Sequence, residues 1–198
     1  MAYFLGLTFF AYLLGSIPFG LMVSRFLKGP DPRTLGSGNL GAANLYRLLG
    51  LKAGALTFLG DALKGALPVL LASFWLSLPG AWQDSAVAVV GGAAVLGHVF
   101  PIYLQFKGGK GVATALGVVT AVSPWAALTL VLVYILALAK TRIFSLSALI
   151  CAWLLPLAMG LFAASKPYLL LAGFLSALVL VCHRKNLERL FKGEEPRI

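Results

Sequence analysis

A short polar segment, residues 36–47, stands out because the chain on both sides of it is apolar. It reads GSGNLGAANLYR, so glycines let backbone N–H groups approach a ligand while Ser, Asn and Arg side chains supply further donors. Donors gathered at the start of a helix bind anions, and phosphate is the anion that this pattern favours. The candidate phosphate ligands of this segment are Gly38, Asn39, Gly41, Asn44 and Arg47.

The same segment matches the dinucleotide-binding pattern G-x-G-x-x-G. That pattern requires a preceding strand and a βαβ unit, and membrane helices are expected on both sides here. Ser37 lacks the G-x-S-x-G context of a nucleophilic serine, so we assign it a hydrogen-bonding role. If a helix continues from Gly41, Asn44 and Arg47 share one face of it. Contact with a lipid headgroup is the alternative for Arg47.

A second polar segment, residues 97–114, contains the run KGGKG. Lys107 and Lys110 flank two glycines, which suits a backbone anion site with an ammonium group on either side. Gly111 stands where a Walker A loop needs Ser or Thr, so this is not such a loop. The alternative is a basic membrane-proximal loop with a glycine turn. The candidate phosphate ligands here are Lys107, Gly108, Gly109 and Lys110.

His98 precedes this run and lies inside an apolar stretch. An ionisable side chain at membrane depth is a functional candidate, so His98 is included among the phosphate-binding candidates. A hydrogen bond between helices is its alternative role. Asp61 and Lys64, three residues apart in another apolar stretch, are expected to pair with each other.

A third polar segment, HRKNLERL, begins at His183. His183 and Asn186 are three residues apart and therefore share a helix face, which makes them catalytic candidates. His183 and Glu188 reproduce the H-x4-acid spacing of another class of glycerolipid acyltransferase, but on a helix they point about 140° apart. Lys185 and Arg189 have a basic helix on anionic lipid as their alternative. The catalytic candidates of all three segments are Ser37, Arg47, Lys110, His183 and Asn186.

The composition indicates an all-α, polytopic membrane protein with a single domain over residues 1–198. Of the 198 residues 60% are hydrophobic and only 11% are charged, whereas soluble domains carry about 25% charged residues. Apolar runs recur at roughly 16–24 residues, near the ~20 that cross a bilayer as a helix. The net charge of +10 follows the positive-inside rule and does not indicate nucleic-acid binding. The six acidic residues do not cluster in these segments, so no metal or cofactor is expected.

The distribution of basic residues predicts seven spans, with the N-terminus outside and the C-terminus in the cytoplasm. Residues 112–139 are interrupted at Ser123-Pro124 and cross either once or twice. If they cross twice, fourteen of the 16 basic residues, all except Lys64 and Lys166, face the cytoplasm. Spans four and five are then short, since 11 residues reach only ~17 Å against a core of ~30 Å, which predicts a thin or re-entrant region. The expected spans are residues 3–24, 53–78, 85–104, 112–122, 125–139, 143–164 and 167–182.

Together the three segments resemble the acyl-phosphate-dependent glycerol-3-phosphate acyltransferases of bacterial membranes. The resemblance covers GSGNLGAANLYRLLG (36–50), GHVFPIYLQFKGGKGVAT (97–114) and HRKNLERLFKGEE (183–195), in that order and at the expected spacing. It implies a seven-helix protein of the bacterial inner membrane with these segments on the cytoplasmic side. It also implies transfer of a fatty acyl group from acyl phosphate to the sn-1 hydroxyl of glycerol 3-phosphate. By resemblance the site includes Ser37, Asn39, Arg47, Lys107, Lys110, His183 and Asn186.

The implied chemistry favours direct transfer, because acyl phosphate is a mixed anhydride with a good leaving group. We expect no acyl-enzyme and no metal, with His183 or a substrate phosphate accepting the hydroxyl proton. The products are lysophosphatidic acid and phosphate, and the expected partners are the lipid bilayer and the soluble enzyme that makes acyl phosphate. Ala43 departs from the family, which commonly has Thr there, so one hydroxyl donor is missing.

Two other functions fit part of the pattern. A phosphate or phosphoester transporter would use the same anion site, but such proteins are built from repeats that this sequence does not display. A lipid phosphotransferase would need clustered carboxylates for a metal, and the three segments contain no such cluster.

Overall fold

The structure, a computed structural model, describes residues 2–198, and most of these residues form nine α-helices. The described residues contain no β-strand, which confirms the predicted all-α class. A short 3-10 turn, Ile102–Leu104, follows the fourth helix. The helices are α1 (Ala2–Gly15), α2 (Phe19–Phe26), α3 (Ala42–Trp75), α4 (Ala81–Val99), α5 (Val112–Val122), α6 (Pro124–Thr141), α7 (Phe144–Phe162), α8 (Lys166–Cys182) and α9 (Arg184–Phe191).

Four of these helices, α3, α4, α6 and α7, are long and apolar enough to cross a bilayer on their own. Two bent pairs raise the number to six if each pair counts as one span: α1 with α2, bent by 42°, and α8 with α9, bent by 58°. Helix α5 is apolar but has only 11 residues. The architecture is therefore that of a polytopic helical protein, as expected, while the count of seven spans and their orientation stay predictions.

The predicted break inside residues 112–139 is confirmed. Helix α5 ends at Val122 and α6 begins at Pro124, because proline lacks an N–H group and forces the residue before it out of the helical conformation. Ser123 accordingly has φ −148° and ψ 90°. The two helices contact each other. That both of them cross the bilayer stays a prediction.

The first expected span, residues 3–24, is in fact two helices. Helix α1 ends at Gly15 and α2 begins at Phe19, just after Pro18. The break leaves the Ile17 carbonyl outside either helix, where it accepts a hydrogen bond from Lys64 Nζ at 2.7 Å. A lysine inside the bundle thus satisfies backbone that the proline break exposes.

The second expected span, residues 53–78, is preceded by a helical stretch that belongs to the first polar segment. Helix α3 begins at Ala42 and continues across a break at Gly50, whose φ of 80° favours glycine. The part before the break carries Asn44 and Arg47, which are therefore helical neighbours as the sequence suggested.

Helix α4 lies in the middle of the bundle, in contact with α1, α3, α5 and α8. Gly97 of α4 lies directly against the backbone of α1 at Tyr12, with no room for a side chain. Helices α3 and α5 approach each other in the same way, with Gly65 against the carbonyl of Thr114. Small residues allow such close approach in membrane bundles. This packing fixes the ends of α3, α4, α5 and α8, where the polar segments begin or end.

Candidate active site

A cavity of about 620 Å³ joins the three polar segments. Part of its wall is polar, and the rest is apolar surface from α3, α5, α6 and α7, including Phe58, Val119 and Leu155. The predicted site residues that line it are Ser37, Asn39, Gly41, Asn44, Arg47, His98, Lys110, His183 and Asn186. Four predicted residues lie outside its lining: Gly38, Lys107, Gly108 and Gly109.

Asn44 organises the loop before α3. Its buried side chain accepts the Ser37 N–H at 2.9 Å and donates to the carbonyls of Pro32, Leu35 and Asn39 at 3.0, 3.2 and 2.9 Å. These bonds occupy both the oxygen and the amide nitrogen of the side chain. Asn44 therefore stabilises the loop that carries Ser37. Its side-chain amide has no free N–H for the expected contact with phosphate.

The glycine N–H groups of this loop are also engaged within the protein. Gly41 N–H donates to Asn39 Oδ1 at 2.8 Å, and Gly38 N–H donates to the carbonyl of Leu35 at 3.1 Å. A backbone donor already bonded to the protein is not available to a ligand. The N–H groups of Gly38 and Gly41 therefore stabilise the loop itself, and their contact with a phosphate stays a prediction.

The same holds for the KGGKG run. Gly108 N–H donates to the Val99 carbonyl and Gly109 N–H to the His98 carbonyl, both at 3.1 Å. These glycines are required by packing, since a Cβ at Gly109 would fall on the His98 ring. Lys107 is exposed and is not among the residues that line the cavity. Of this run only Lys110 contributes its side chain to the cavity.

Lys110 is held by a chain of hydrogen bonds that reaches the C-terminal tail. Its Nζ donates to Asn186 Oδ1 at 2.5 Å, and Asn186 Nδ2 donates to Glu195 Oε1 at 2.5 Å. Ser145 Oγ donates to the same carboxylate oxygen at 2.7 Å, and Arg189 Nε donates to Oε2 at 2.7 Å. The chain ties the start of α5, helix α9, the start of α7 and the tail into one unit.

Burial sets the charge states in this network. It lowers the pKa of Lys110 to about 8, with Arg189 and Arg47 adding to the effect and Glu195 opposing it. Burial alone would raise the pKa of Glu195, but hydrogen bonds from Arg189, Ser145 and Asn186 hold that pKa below its ordinary value. Glu195 is therefore an anion among cations at neutral pH.

His183 is buried at the end of α8 and is neutral. Burial, with the nearby charge of Lys110, lowers the pKa of its imidazole to about 4. His183 Nδ1 lies 2.8 Å from the Val179 carbonyl. Since a carbonyl only accepts, we place the ring proton on Nδ1. The other ring nitrogen, Nε2, is then an acceptor suited to a substrate hydroxyl.

Arg47 presents its guanidinium to the cavity from α3. The group lies over the Phe144 ring at 5.4 Å, and one terminal nitrogen donates to the Pro196 carbonyl at 3.2 Å. Its Nε is buried and has no hydrogen-bond partner within residues 2–198. Arg47 thus keeps spare donor capacity beside Lys110, which suits a divalent anion.

The sequence reasoning missed Ser145 and Glu195, the two residues of the cavity wall that complete the Lys110 network. Glu195 falls inside the stretch 183–195 that carries the resemblance, and an acid closing a basic helix is a signal that could have identified it. Ser145 lies at the start of an apolar span and offers no such signal. No group of three or more His, Cys, Asp or Glu side chains in residues 2–198 is arranged to hold a metal. The expectation of a metal-independent reaction stays a prediction.

A family model described as glycerol-3-phosphate acyltransferase matches residues 5–193. The chain belongs to this family. A glycerol-3-phosphate acyltransferase of Geotalea daltonii is 45% identical over 185 residues, covering 93% of this chain and 92% of the relative. One of Trichlorobacter lovleyi is 50% identical over 192 residues, covering 94% and 93%. These similarities confirm the resemblance drawn from the three segments.

The fold of this acyltransferase is similar to solved structures of PlsY, an integral membrane glycerol 3-phosphate acyltransferase. The glycerol 3-phosphate form of PlsY matches with a TM-score of 0.92 and 42% identity, covering 99% of this chain and 96% of that one. The lysophosphatidic acid form matches with a TM-score of 0.90 and 42% identity, covering 99% and 95%. The chain is therefore an integral membrane acyltransferase, as predicted.

We expect Glu195→Gln to lower the rate of acyl transfer about tenfold or more. The neutral amide is a weaker hydrogen-bond acceptor for Arg189, Ser145 and Asn186. Asn186, which is the hydrogen-bond partner of Lys110, is then held less firmly. The measurement is acyl transfer by protein purified in detergent, with thermal unfolding followed alongside. Glu194→Gln, which removes the exposed neighbouring carboxylate, should leave the rate unchanged. Equal rates for Glu195→Gln and the unmodified enzyme would contradict this role of Glu195.

Proposed function

We propose that this acyltransferase transfers a fatty acyl group from acyl phosphate to the sn-1 hydroxyl of glycerol 3-phosphate. The products are lysophosphatidic acid and phosphate, which makes this the first acylation step of phospholipid biosynthesis. The observation that carries the proposal is a cavity in which a cationic polar wall adjoins apolar surface from four helices. A fatty acyl phosphate has the same two parts. The structures of PlsY with glycerol 3-phosphate and with lysophosphatidic acid support the same acceptor and product.

The phosphates are bound by side chains of three separated elements. Arg47 and Lys110 supply positive charge, and Ser37 supplies a hydroxyl from the loop that Asn44 shapes. Asn186 fixes Lys110 by their hydrogen bond of 2.5 Å. Ala43 has no hydroxyl, so the wall beside Ser37 relies on these neighbours. Cations placed where charge develops on the leaving phosphate lower the barrier to transfer.

The transfer is direct. The sn-1 hydroxyl oxygen attacks the acyl carbon, the new ester C–O bond forms, and the bond between acyl carbon and phosphate oxygen breaks with its electron pair leaving on phosphate. The hydroxyl proton passes to His183 Nε2 or to a substrate phosphate oxygen. Holding the two substrates in register supplies several kcal/mol, out of a ceiling of ~7–11. The step needs neither an acyl-enzyme nor a metal or cofactor.

The catalytic unit, a single domain over residues 1–198, acts in the bacterial inner membrane with its polar wall facing the cytoplasm. The positive-inside rule supports this orientation, because the three polar segments carry or adjoin most of the basic residues. Acyl phosphate is supplied from the cytoplasmic side by the soluble enzyme that makes it. Its acyl chain enters along the apolar surfaces of α6 and α7, several of whose large side chains are exposed, such as Leu136 and Leu157.

We expect Arg47→Ala and Lys110→Ala each to lower kcat/KM for glycerol 3-phosphate about 100-fold, because each removes a cation that stabilises the transferring phosphate. The measurement is lysophosphatidic acid formation from acyl phosphate and glycerol 3-phosphate by folded, purified variants. Lys185→Ala, which removes an exposed cation from α9, is the matched control and should retain its rate. Lys107→Ala should have a smaller effect than Lys110→Ala, because Lys107 lies outside the cavity. Near-normal rates in both Arg47→Ala and Lys110→Ala would contradict the proposal.

The pH profile gives an independent prediction for Lys110. Since its pKa is lowered to about 8, the ammonium is present below that pH and is lost as the pH rises through about 8. Acyl transfer should therefore decline above about pH 8. Lys110→Arg, which stays charged in this range, should lose that decline even if its maximal rate is lower. The substrates ionise identically in both assays, so the same alkaline decline in both enzymes would show that Lys110 does not cause it.

A further inference from the structure

A buried charged cluster reaches the wall of the active-site cavity through Asp61 and His98, and the proposed reaction does not use it. Asp61 and Lys64 of α3 form an ion pair with 2.8 Å between Lys64 Nζ and Asp61 Oδ1, and both side chains are almost fully buried. His98 Nδ1 of α4 lies 3.5 Å from the same carboxylate oxygen. Burying three ionisable groups inside a membrane bundle costs free energy, so we expect this cluster to have a function.

Lys64 anchors the cluster on one side. Its Nζ also donates to the Ile17 carbonyl at 2.7 Å, in the break between α1 and α2, and lies 5.7 Å from the Phe19 ring centre. These contacts hold the Lys64 ammonium in place, and the ammonium in turn holds Asp61. Asp61 therefore presents a fixed carboxylate to His98.

His98 faces Asp61 with its Nδ1, which is buried and has no formed hydrogen bond to any residue from 2 to 198. The Asp61 carboxylate lies beside this ring, with Oδ1 3.5 Å from Nδ1. We assign the ring proton to Nδ1, since the carboxylate is the acceptor nearest to it, and this assignment keeps Nδ1 directed towards α3. The opposite edge of the ring, with Nε2, then faces the loop that follows α4.

The loop after α4 packs closely against His98. Gly109 lies so close to the ring that a Cβ there would fall on Nε2. The backbone of Gly108 and Gly109 is bonded to the last turn of α4 through the Val99 and His98 carbonyls. On the far side of Lys110, Gly111 has φ 80°, and a Cβ there would lie 3.1 Å from Val95 Cγ1. Lys110 thus lies between two glycines, and both of them pack closely against α4.

We propose that Asp61 is a positioning residue of the active site, which orients His98 so that its ring supports Gly109 and directs Lys110 towards Asn186. The contacts form a continuous line from the Lys64 ammonium to the Asp61 carboxylate, the His98 ring, the Gly109 backbone and the Lys110 side chain. Asp61 acts through Lys110 and not as a structural residue alone. The inference rests on the proposed role of Lys110 in binding substrate phosphate.

The test is a double-mutant cycle between Asp61→Asn and Lys110→Ala, measured as kcat and KM for glycerol 3-phosphate with acyl phosphate as donor. Asp61→Asn alone should raise KM about tenfold and change kcat less than about threefold, because it displaces a binding cation that is still present. Lys110→Ala alone should lower kcat/KM about 100-fold. The double variant should resemble Lys110→Ala to within about threefold, because no positioned cation remains for Asp61 to act on.

The outcomes separate this inference from the proposed function. If Lys110→Ala is impaired and Asp61→Asn adds its full effect in the double variant, Asp61 does not act through Lys110 and the inference fails alone. If Lys110→Ala retains its rate, the proposed role of Lys110 fails and the inference fails with it. Thermal unfolding in detergent, measured for each variant, shows whether the effects on KM follow stability instead.

Gly109→Ala provides a second route if Asp61→Asn does not fold. This substitution leaves the buried ion pair intact and pushes a methyl group against the His98 ring. It should raise KM about as much as Asp61→Asn does. When combined with Lys110→Ala, it should cause no further change in KM. Gly173→Ala of α8, where a Cβ has open space, is the matched control. An unchanged KM in folded Gly109→Ala would overturn the proposal.

Discussion

The hydrogen bonds that join Lys110 to Asn186 and Asn186 to Glu195 are the interactions on which the site depends. They connect parts of the chain that are far apart in sequence. Helix packing brings these parts close together, and the hydrogen bonds fix their relative positions. Glu195 also balances the charges of Lys110, Arg189 and Arg47, which would otherwise repel one another around a partly buried cavity. Glu195 thus offsets the repulsion among these cations and holds them in one network.

Several glycine-loop N–H groups do not point to a ligand, because they are hydrogen-bonded within the protein. The N–H groups of Ser37, Gly41 and Gly109 all donate to acceptors within the protein. In the proposed function the side chains of Arg47 and Lys110 therefore supply the positive charge, and their placement depends on the elements that carry them. A site whose polar groups are held in place before binding loses less entropy when the substrates are brought together.

The sequence predicted the helical architecture, and most of the residues it singled out line one cavity, but it did not predict their hydrogen-bond partners. Apolar runs and charge indicated a polytopic helical bundle, and Pro124 marked a helix boundary that the structure contains. Residue types alone could not reveal that Asn44 bonds to its own loop, because an amide near glycines looks the same whether it binds ligand or backbone. The position of Glu195 after a basic helix is a sequence signal, but its partners are not, since Ser145 and Arg189 meet it only after the tail folds back.

The proposed direct transfer requires one cavity to hold acyl phosphate and glycerol 3-phosphate together. The decisive experiment mixes the purified acyltransferase in excess with acyl phosphate and follows phosphate release with and without glycerol 3-phosphate. Direct transfer releases phosphate only when the acceptor is present, in equal amount to the lysophosphatidic acid formed, with no acyl group left on the protein. A stoichiometric burst of phosphate in the absence of acceptor would contradict it.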